Sequence, residues 1–154
     1  MPTVGDTFAR HLHIEHLKAL GFRKLRKNFS RDRGDYIEHF QIQGSAWNDA
    51  SSPWVFYLNC GITFSGLPIP DHGHVGTHAS CRANVFTRRA RAQDEVTVDT
   101  MAEVARHVHL VICDVSAYFG QRHTALRESY LGKRYRYAFL DDPELDYEKG
   151  GLRQ

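Results

Sequence analysis

The chain has 154 residues, 42% hydrophobic and 25% charged, a composition typical of one ordinary globular domain. Its three cysteines are odd in number and widely spaced, which excludes a secreted disulfide scaffold, and a net charge of +2 demands no polyanionic partner. The N-terminal residues lack the apolar stretch of a secretion signal, and no apolar run is long enough to span a membrane. We therefore expect a cytoplasmic protein with a single globular domain over residues 1–154 and a frayed acidic tail at 141–154.

The first predicted element is an amphipathic helix over about residues 7–20, with Asp6 as its N-cap and Gly21 as its stop. The cationic stretch that follows, residues 22–31, predicts one exposed strand that buries Leu25 and Phe29 on one face. Turn residues at 32–35 then lead into a second strand over residues 36–43, so that the two strands form a hairpin.

The clearest strand signal lies at residues 54–64, where large apolar residues occupy every second position. Loop composition surrounds it, at residues 44–53 before it and 65–76 after it, and a short further strand is expected within residues 78–87. Apolar residues then repeat at helical spacing from Thr97 or Asp99 to Phe119, where Gly120 is expected to end the helix.

A shorter helix over residues 122–131 and a final strand or extended segment at 135–140 complete the predicted elements. The element order predicts an α+β fold. We expect an antiparallel three- to five-stranded sheet with the N-terminal helix and the long helix of the C-terminal half packed on one face.

A pattern in the first half of the chain resembles a known family. It comprises Leu-Gly-Phe-Arg-Lys at 20–24, Asn-Phe-Ser-Arg at 28–31, and the residues Gln41, Gln43 and Asn59 in two neighbouring strands. These features resemble a family of small bacterial proteins catalogued as domain of unknown function 4304. The resemblance implies a cytoplasmic α+β domain and brings no established activity. Small domains of this kind are often encoded near toxin systems, which implies an immunity or antitoxin-like role by association.

Ten histidines raise the question of a metal site. One loop places four potential zinc ligands within ten residues: His72, His74, His78 and Cys81. Structural zinc sites usually pair two short ligand groups separated by a dozen or more residues, so this spacing favours a solvated loop. The alternative is a zinc-type, metal-dependent enzyme that uses this loop. Cys81, close to His78, is also the thiol whose pKa could be depressed, which leaves open a catalytic cysteine-histidine pair.

Polar residues on the strands suggest a binding surface. If the strand parities are right, the sheet face opposite the large apolar set carries His39, Gln41, Gln43, Tyr57 and Asn59. Such a face either binds a polar ligand or a protein, or is stabilised by its own cross-strand amide pairs. Trp47, in the neighbouring loop, favours partner binding because tryptophan is enriched at interface anchors.

Basic residues cluster in three stretches: at 10–33, 82–91 and 122–136. They permit nucleic-acid binding, although no recognised nucleic-acid-binding motif accompanies them. The sequence thus favours a small cytoplasmic bacterial protein without catalytic activity or a cofactor. We expect it to bind a protein partner through the polar sheet face and adjacent loops, as an immunity or antitoxin-like factor. The zinc-dependent enzyme and the nucleic-acid-binding protein are the alternatives.

Overall fold

A computed structural model describes residues 2–49, 53–69 and 77–133 of the chain. The α+β prediction is confirmed: an N-terminal helix and a long second helix accompany a six-stranded antiparallel sheet. The helices are α1 (Val4–Leu12) and α2 (Met101–Lys133), and the strands are β1 (Arg23–Leu25), β2 (Asn28–Asp32), β3 (Tyr36–Gly44), β4 (Trp54–Phe64), β5 (Ala79–Arg82) and β6 (Asp94–Val96). No helix within these ranges combines the length and apolar character needed to cross a bilayer. The predicted acidic tail and the predicted segment at 135–140 lie outside the described residues.

The N-terminal helical segment begins earlier than predicted and changes its winding. Thr3, not Asp6, is the N-cap of α1, and the two residues form a capping box in which each side chain bonds to the backbone N–H of the other. After α1 the chain continues as a π-helical turn over His13–Leu17 and a 3-10 turn over Lys18–Leu20. Gly21, at φ 93°, ends the segment as expected, because glycine adopts the left-handed conformation at little cost.

The cationic stretch after Gly21 forms two strands, where the sequence predicted one. A tight turn at Arg26, whose φ is 56°, folds β1 back onto β2 in antiparallel register. Phe29 is buried as predicted, but Leu25 is 74% exposed. The single-strand prediction was wrong because a positive φ at an arginine leaves no signal in the composition.

The sheet is a meander in which β1 to β5 pair with their sequence neighbours. One edge of β4 pairs with β3, so β5 and β6 must share its other edge, at residues 59–62 and 54–56 respectively. The short strand predicted within 78–87 is β5. The three-residue β6 was not predicted, and with the split of the first strand it raises the count above the expected three to five.

Helix α2 runs through Gly120, where the sequence predicted a break between two helices. Glycine inside a helix costs only about 1 kcal/mol relative to alanine. Packing on both sides of Gly120 offsets this cost, since Phe119 and Leu126 are both buried. At a rise of about 1.5 Å per residue, the helix is roughly 50 Å long.

Both helices cover the same face of the sheet. From α1, Phe8 packs on Phe56 of β4, and from α2, Phe119 packs near Phe40 of β3. All four rings are essentially inaccessible to solvent. Each such burial contributes about 1.5–3 kcal/mol, so this aromatic layer helps to hold the helices on the sheet.

A buried ion pair crosses the same layer. Glu38, with 0% exposure, lies on the helix-facing side of β3 and accepts hydrogen bonds from Arg31 Nε at 2.8 Å and from Ser116 Oγ at 2.9 Å. Arg31 also donates to Ser116 Oγ at 2.7 Å and to the carbonyl of Leu20 at 2.9 Å. The cluster therefore joins β2, β3, α2 and the N-terminal helical segment through one charged centre.

Candidate functional site: the open face of the sheet

The face of the sheet opposite the helices carries mainly polar side chains. The strand register aligns them in rows that run across β2, β3, β4 and β5. One row is Ser30, His39, Gly61 and Ser80, and the next is Asn28, Gln41, Asn59 and Arg82. We call this surface the open face.

Three of the predicted residues on the open face meet in one amide cluster. Asn59 Nδ2 donates to Gln41 Oε1 at 2.9 Å and to Gln43 Oε1 at 2.8 Å. Because the amide of Asn59 is thereby held in one orientation, the two glutamines are fixed side by side on β3. The cluster is thus an ordered array of amides, and its role in binding stays a prediction.

The other two predicted strand residues flank the cluster. His39 Nε2 lies 2.8 Å from Thr63 Oγ1, and burial lowers the pKa of this histidine, so its imidazole is neutral at pH 7. Tyr57 lies beneath Arg82, whose guanidinium carbon is 4.1 Å from the ring centroid. Arg82 Nη1 is buried without a hydrogen-bond partner, so the open face contains a donor that no group in the described structure satisfies.

Trp47 lies in the loop that joins β3 to β4 and is 93% exposed. The adjacent Asn48 anchors this loop, because its side-chain amide accepts from Val55 N at 2.8 Å and donates to Val55 O at 2.6 Å. The Asn48 side chain thus makes the same two hydrogen bonds to Val55 that the backbone of a neighbouring strand would make. The indole of Trp47 is thus exposed on a loop that Asn48 holds against β4, and its role in partner binding stays a prediction.

The open face is concave. A cavity of about 360 Å³ lies over Gly61, between Ser30 and His39 on one side and Thr77 and Ser80 on the other. Gly61 is needed for this arrangement, because a Cβ there would lie 2.8 Å from Thr77 Cγ2. The described residues that line the cavity include hydroxyl, amide and imidazole groups and no carboxylate.

The structure describes only part of the predicted metal-binding loop, because His72 and His74 lie outside the described residues. His78 is buried, and both of its ring nitrogens have backbone partners: Nδ1 accepts from Phe64 N–H at 2.8 Å, and Nε2 donates to Pro68 O at 2.8 Å. In this arrangement neither nitrogen offers a lone pair to a metal. Burial raises the pKa of Cys81 to about 12, so this sulfur is a thiol at pH 7.

The cysteine-histidine pair, which the sequence left open, requires a lowered pKa at Cys81, whereas burial raises this pKa. Within residues 2–49, 53–69 and 77–133, no three His, Cys, Asp or Glu side chains converge where a metal ion could bind. The zinc alternative stays a prediction that depends on the undescribed part of the loop.

Several of the basic residues that suggested nucleic-acid binding have intramolecular acidic partners. Lys27 pairs with Asp6, Arg31 with Glu38, Arg89 with Asp114 and Arg91 with Asp94. Arg82 stacks on Tyr57. Each pair lowers the number of cations that could neutralise phosphates, which weakens the case for an extended basic surface.

Comparison with known proteins identifies the family. The sequence profile described as Domain of unknown function (DUF4304) matches residues 13–120. The chain belongs to this family. The DUF4304 match covers β1 to β6 and the first part of α2, and so contains the whole open face. No curated protein and no solved structure matches the chain.

Sequence reasoning missed two parts of this DUF4304 site. The cavity depends on the close approach of Gly61 in β4 to Thr77, which lies just before the neighbouring strand β5. The sequence signal was limited to the alternation that placed Gly61 on the open face. Arg82 entered the sequence analysis as part of a basic cluster. Its position opposite Asn59 required the register of β5, which a four-residue strand does not reveal.

Proposed function

We propose that the protein is a small cytoplasmic binding protein without catalytic activity, which recognises a protein partner through the open face and the Trp47 loop. The observation that carries this proposal is the cavity of about 360 Å³ on the face that the described helices leave uncovered. Its size suits an inserted partner side chain. Trp47 next to the sheet supplies an exposed aromatic anchor of the kind that dominates binding energy at interfaces.

The chemistry of the open face favours recognition over catalysis. His39 is hydrogen-bonded to Thr63 on the open face, whereas Cys81 pairs with Cys60 on the helix-facing side of the sheet and is held as a thiol, so it supplies no thiolate nucleophile to the open face. The amide cluster offers groups that suit a partner's backbone carbonyls and polar side chains. We infer an immunity or antitoxin-like role as the specific form of this binding.

The test is affinity purification of the tagged protein from the cells that naturally make it, with three variants. Trp47→Ala removes the anchor, and Ser80→Leu fills the cavity. Val98→Ala truncates another exposed apolar side chain and serves as the matched control. We expect one stoichiometric protein with the wild type and Val98→Ala, and a loss of at least tenfold with the other two, since interface anchors contribute roughly 2 kcal/mol or more.

Equal recovery by all four proteins, or no stoichiometric partner, would contradict the binding proposal. The immunity form has a separate test, which is expression of the captured partner alone and together with each variant. Growth arrest that the wild type relieves and Trp47→Ala does not relieve is the expected result. A partner that does not affect growth would exclude the immunity role and leave the binding role in place.

A further inference from the structure

A second cavity lies away from the open face, where β6 meets the start of α2. Its volume is about 510 Å³, and its walls include Arg91, Asp94, Glu95, Glu103 and His107. This volume is within the range of small-molecule sites. We call it the β6–α2 cleft.

Two buried polar atoms on the wall of this cleft have no hydrogen-bond partner. They are Asp94 Oδ1 and His107 Nε2, and the side chain of Asp94 is 94% covered. The described part of the chain has three such atoms, of which these are two. Since folded proteins satisfy about 90% or more of their buried polar groups, two unsatisfied atoms on one cleft indicate that a molecule from outside the chain completes them.

The charges of the cleft specify what that molecule carries. Three carboxylates, Asp94, Glu95 and Glu103, line it against the one guanidinium of Arg91. Arg91 is itself exposed, and its Nη1 lies 3.6 Å from Asp94 Oδ1, beyond good hydrogen-bond distance. The carboxylate of Asp94 is therefore paired only weakly with Arg91, and a cation that lies closer to Asp94 can displace the Arg91 guanidinium.

We propose that the β6–α2 cleft binds an organic cation, an alkylammonium or guanidinium group, with Asp94 as the anionic anchor. An ammonium group has three N–H donors, which can bond to Asp94 Oδ1, to a lone pair on His107 Nε2 and to a carboxylate oxygen of Glu103. Charge-assisted bonds to a desolvated carboxylate are the stronger class of hydrogen bond, so Asp94 contributes most of the affinity. The cation comes either from a free amine or from a lysine or arginine side chain of a protein.

The experiment is a titration of the isotope-labelled full chain, followed by backbone amide chemical shifts in NMR. The probes are butylammonium chloride and a capped tripeptide with one lysine, and sodium butyrate is the anionic control at equal ionic strength. We expect saturable shifts from both cations at β6 and the first turns of α2, and none from butyrate. Tighter binding of the tripeptide would assign the cleft to a protein side chain, and tighter binding of butylammonium would assign it to a free amine.

Three variants test the role of each charge. Asp94→Asn should weaken cation binding about ten- to a hundredfold, the loss expected for a hydrogen bond to a charged group. Asp99→Asn removes the same charge from an exposed position of the same segment, outside the residues that line the cleft, and should leave the affinity within about twofold. Arg91→Gln removes the internal competitor and should tighten binding by only about two- to fivefold, because Arg91 is exposed and its Nη1 lies 3.6 Å from Asp94 Oδ1.

The proposal is overturned if neither cation gives a saturable shift, if butyrate binds as well as butylammonium, or if Asp94→Asn binds unchanged. Arg91 is exposed, so its variant keeps the test valid even if Asp94→Asn fails to fold. The cleft lies outside the open face, so a negative result for cation binding would not contradict the proposed protein-binding function.

Discussion

Replacement of Glu38 by glutamine should destabilise the protein strongly, because it leaves the Arg31 guanidinium without its counter-charge. Glu38 is fully buried and the Arg31 side chain is 16% exposed, so little solvent is available to replace the lost carboxylate. Breaking a buried ion pair by removing one partner costs about 3–5 kcal/mol. Glutamine keeps one carbonyl oxygen as an acceptor, and the arginine keeps its bond to Leu20 O, which places the expected loss near about 3 kcal/mol.

Urea unfolding followed by circular dichroism measures this loss. With an m-value of about 2 kcal/mol per molar, a change of about 3 kcal/mol lowers the midpoint by about 1.5 M. The double variant Arg31→Met, Glu38→Leu removes both charges and should recover most of the stability, since apolar replacements of buried pairs are often neutral. A midpoint shift below about 0.5 M for Glu38→Gln, or a double variant no more stable than the single one, would refute the reasoning.

Three further predictions concern single residues. Burial, and then the charge of the stacked His109, lower the folded-state pKa of His16 below 6.5. The unfolded chain therefore binds a proton at His16 more readily than the folded chain does, and the protein loses stability as the pH falls below 6.5. His16→Gln should make the melting temperature fall less steeply over this pH range, and an unchanged slope would contradict the prediction. Gly61→Ala should cost about 1–3 kcal/mol by overpacking against Thr77, as measured by urea unfolding, and a neutral effect would show that the wall of the cavity yields freely. Asn48→Asp should destabilise the protein more than Asn48→Ala in the same assay, because a carboxylate would face the Val55 carbonyl that now accepts the amide N–H. Equal effects of the two variants would contradict this repulsion.

The sequence predicts those parts of the fold that depend on local periodicity. Alternation in β4 assigned Phe56, Leu58 and Ile62 to the core and Asn59 to the open face, and the structure confirms these assignments. Strand parity also placed Asn59 and Gln41 on the same face of the sheet, and the antiparallel register of β3 and β4 sets them opposite each other. Parity is a strong signal because a shift of one residue would expose the entire apolar face.

The features that could not be predicted depend on contacts between distant segments. The sequence predicted a helix end at Gly120, but packing of the residues beyond it overrides the local preference. No sequence pattern marks Glu38 as half of a buried ion pair, because its partners Arg31 and Ser116 come from other elements. Asp94 and His107 meet because β6 pairs with β4 beneath the start of α2, a pairing of only three residues that leaves no periodic signal.

The meander order of the strands has a consequence for the kinetics of folding. Tight turns join β1, β2 and β3, so these strands can pair after short loop closures, whereas the bond between Arg31 and Ser116 closes a loop of 85 residues. We therefore expect the hairpins to form early and the docking of α2 onto the charged cluster to follow the rate-limiting step. A Ser116→Ala variant should then unfold faster while folding at nearly the wild-type rate, and a chevron plot with a slowed folding limb would reverse that order. If α2 docks after the rate-limiting step, as we expect, the buried cluster slows unfolding and prolongs the lifetime of the native state, and it contributes little to the folding rate.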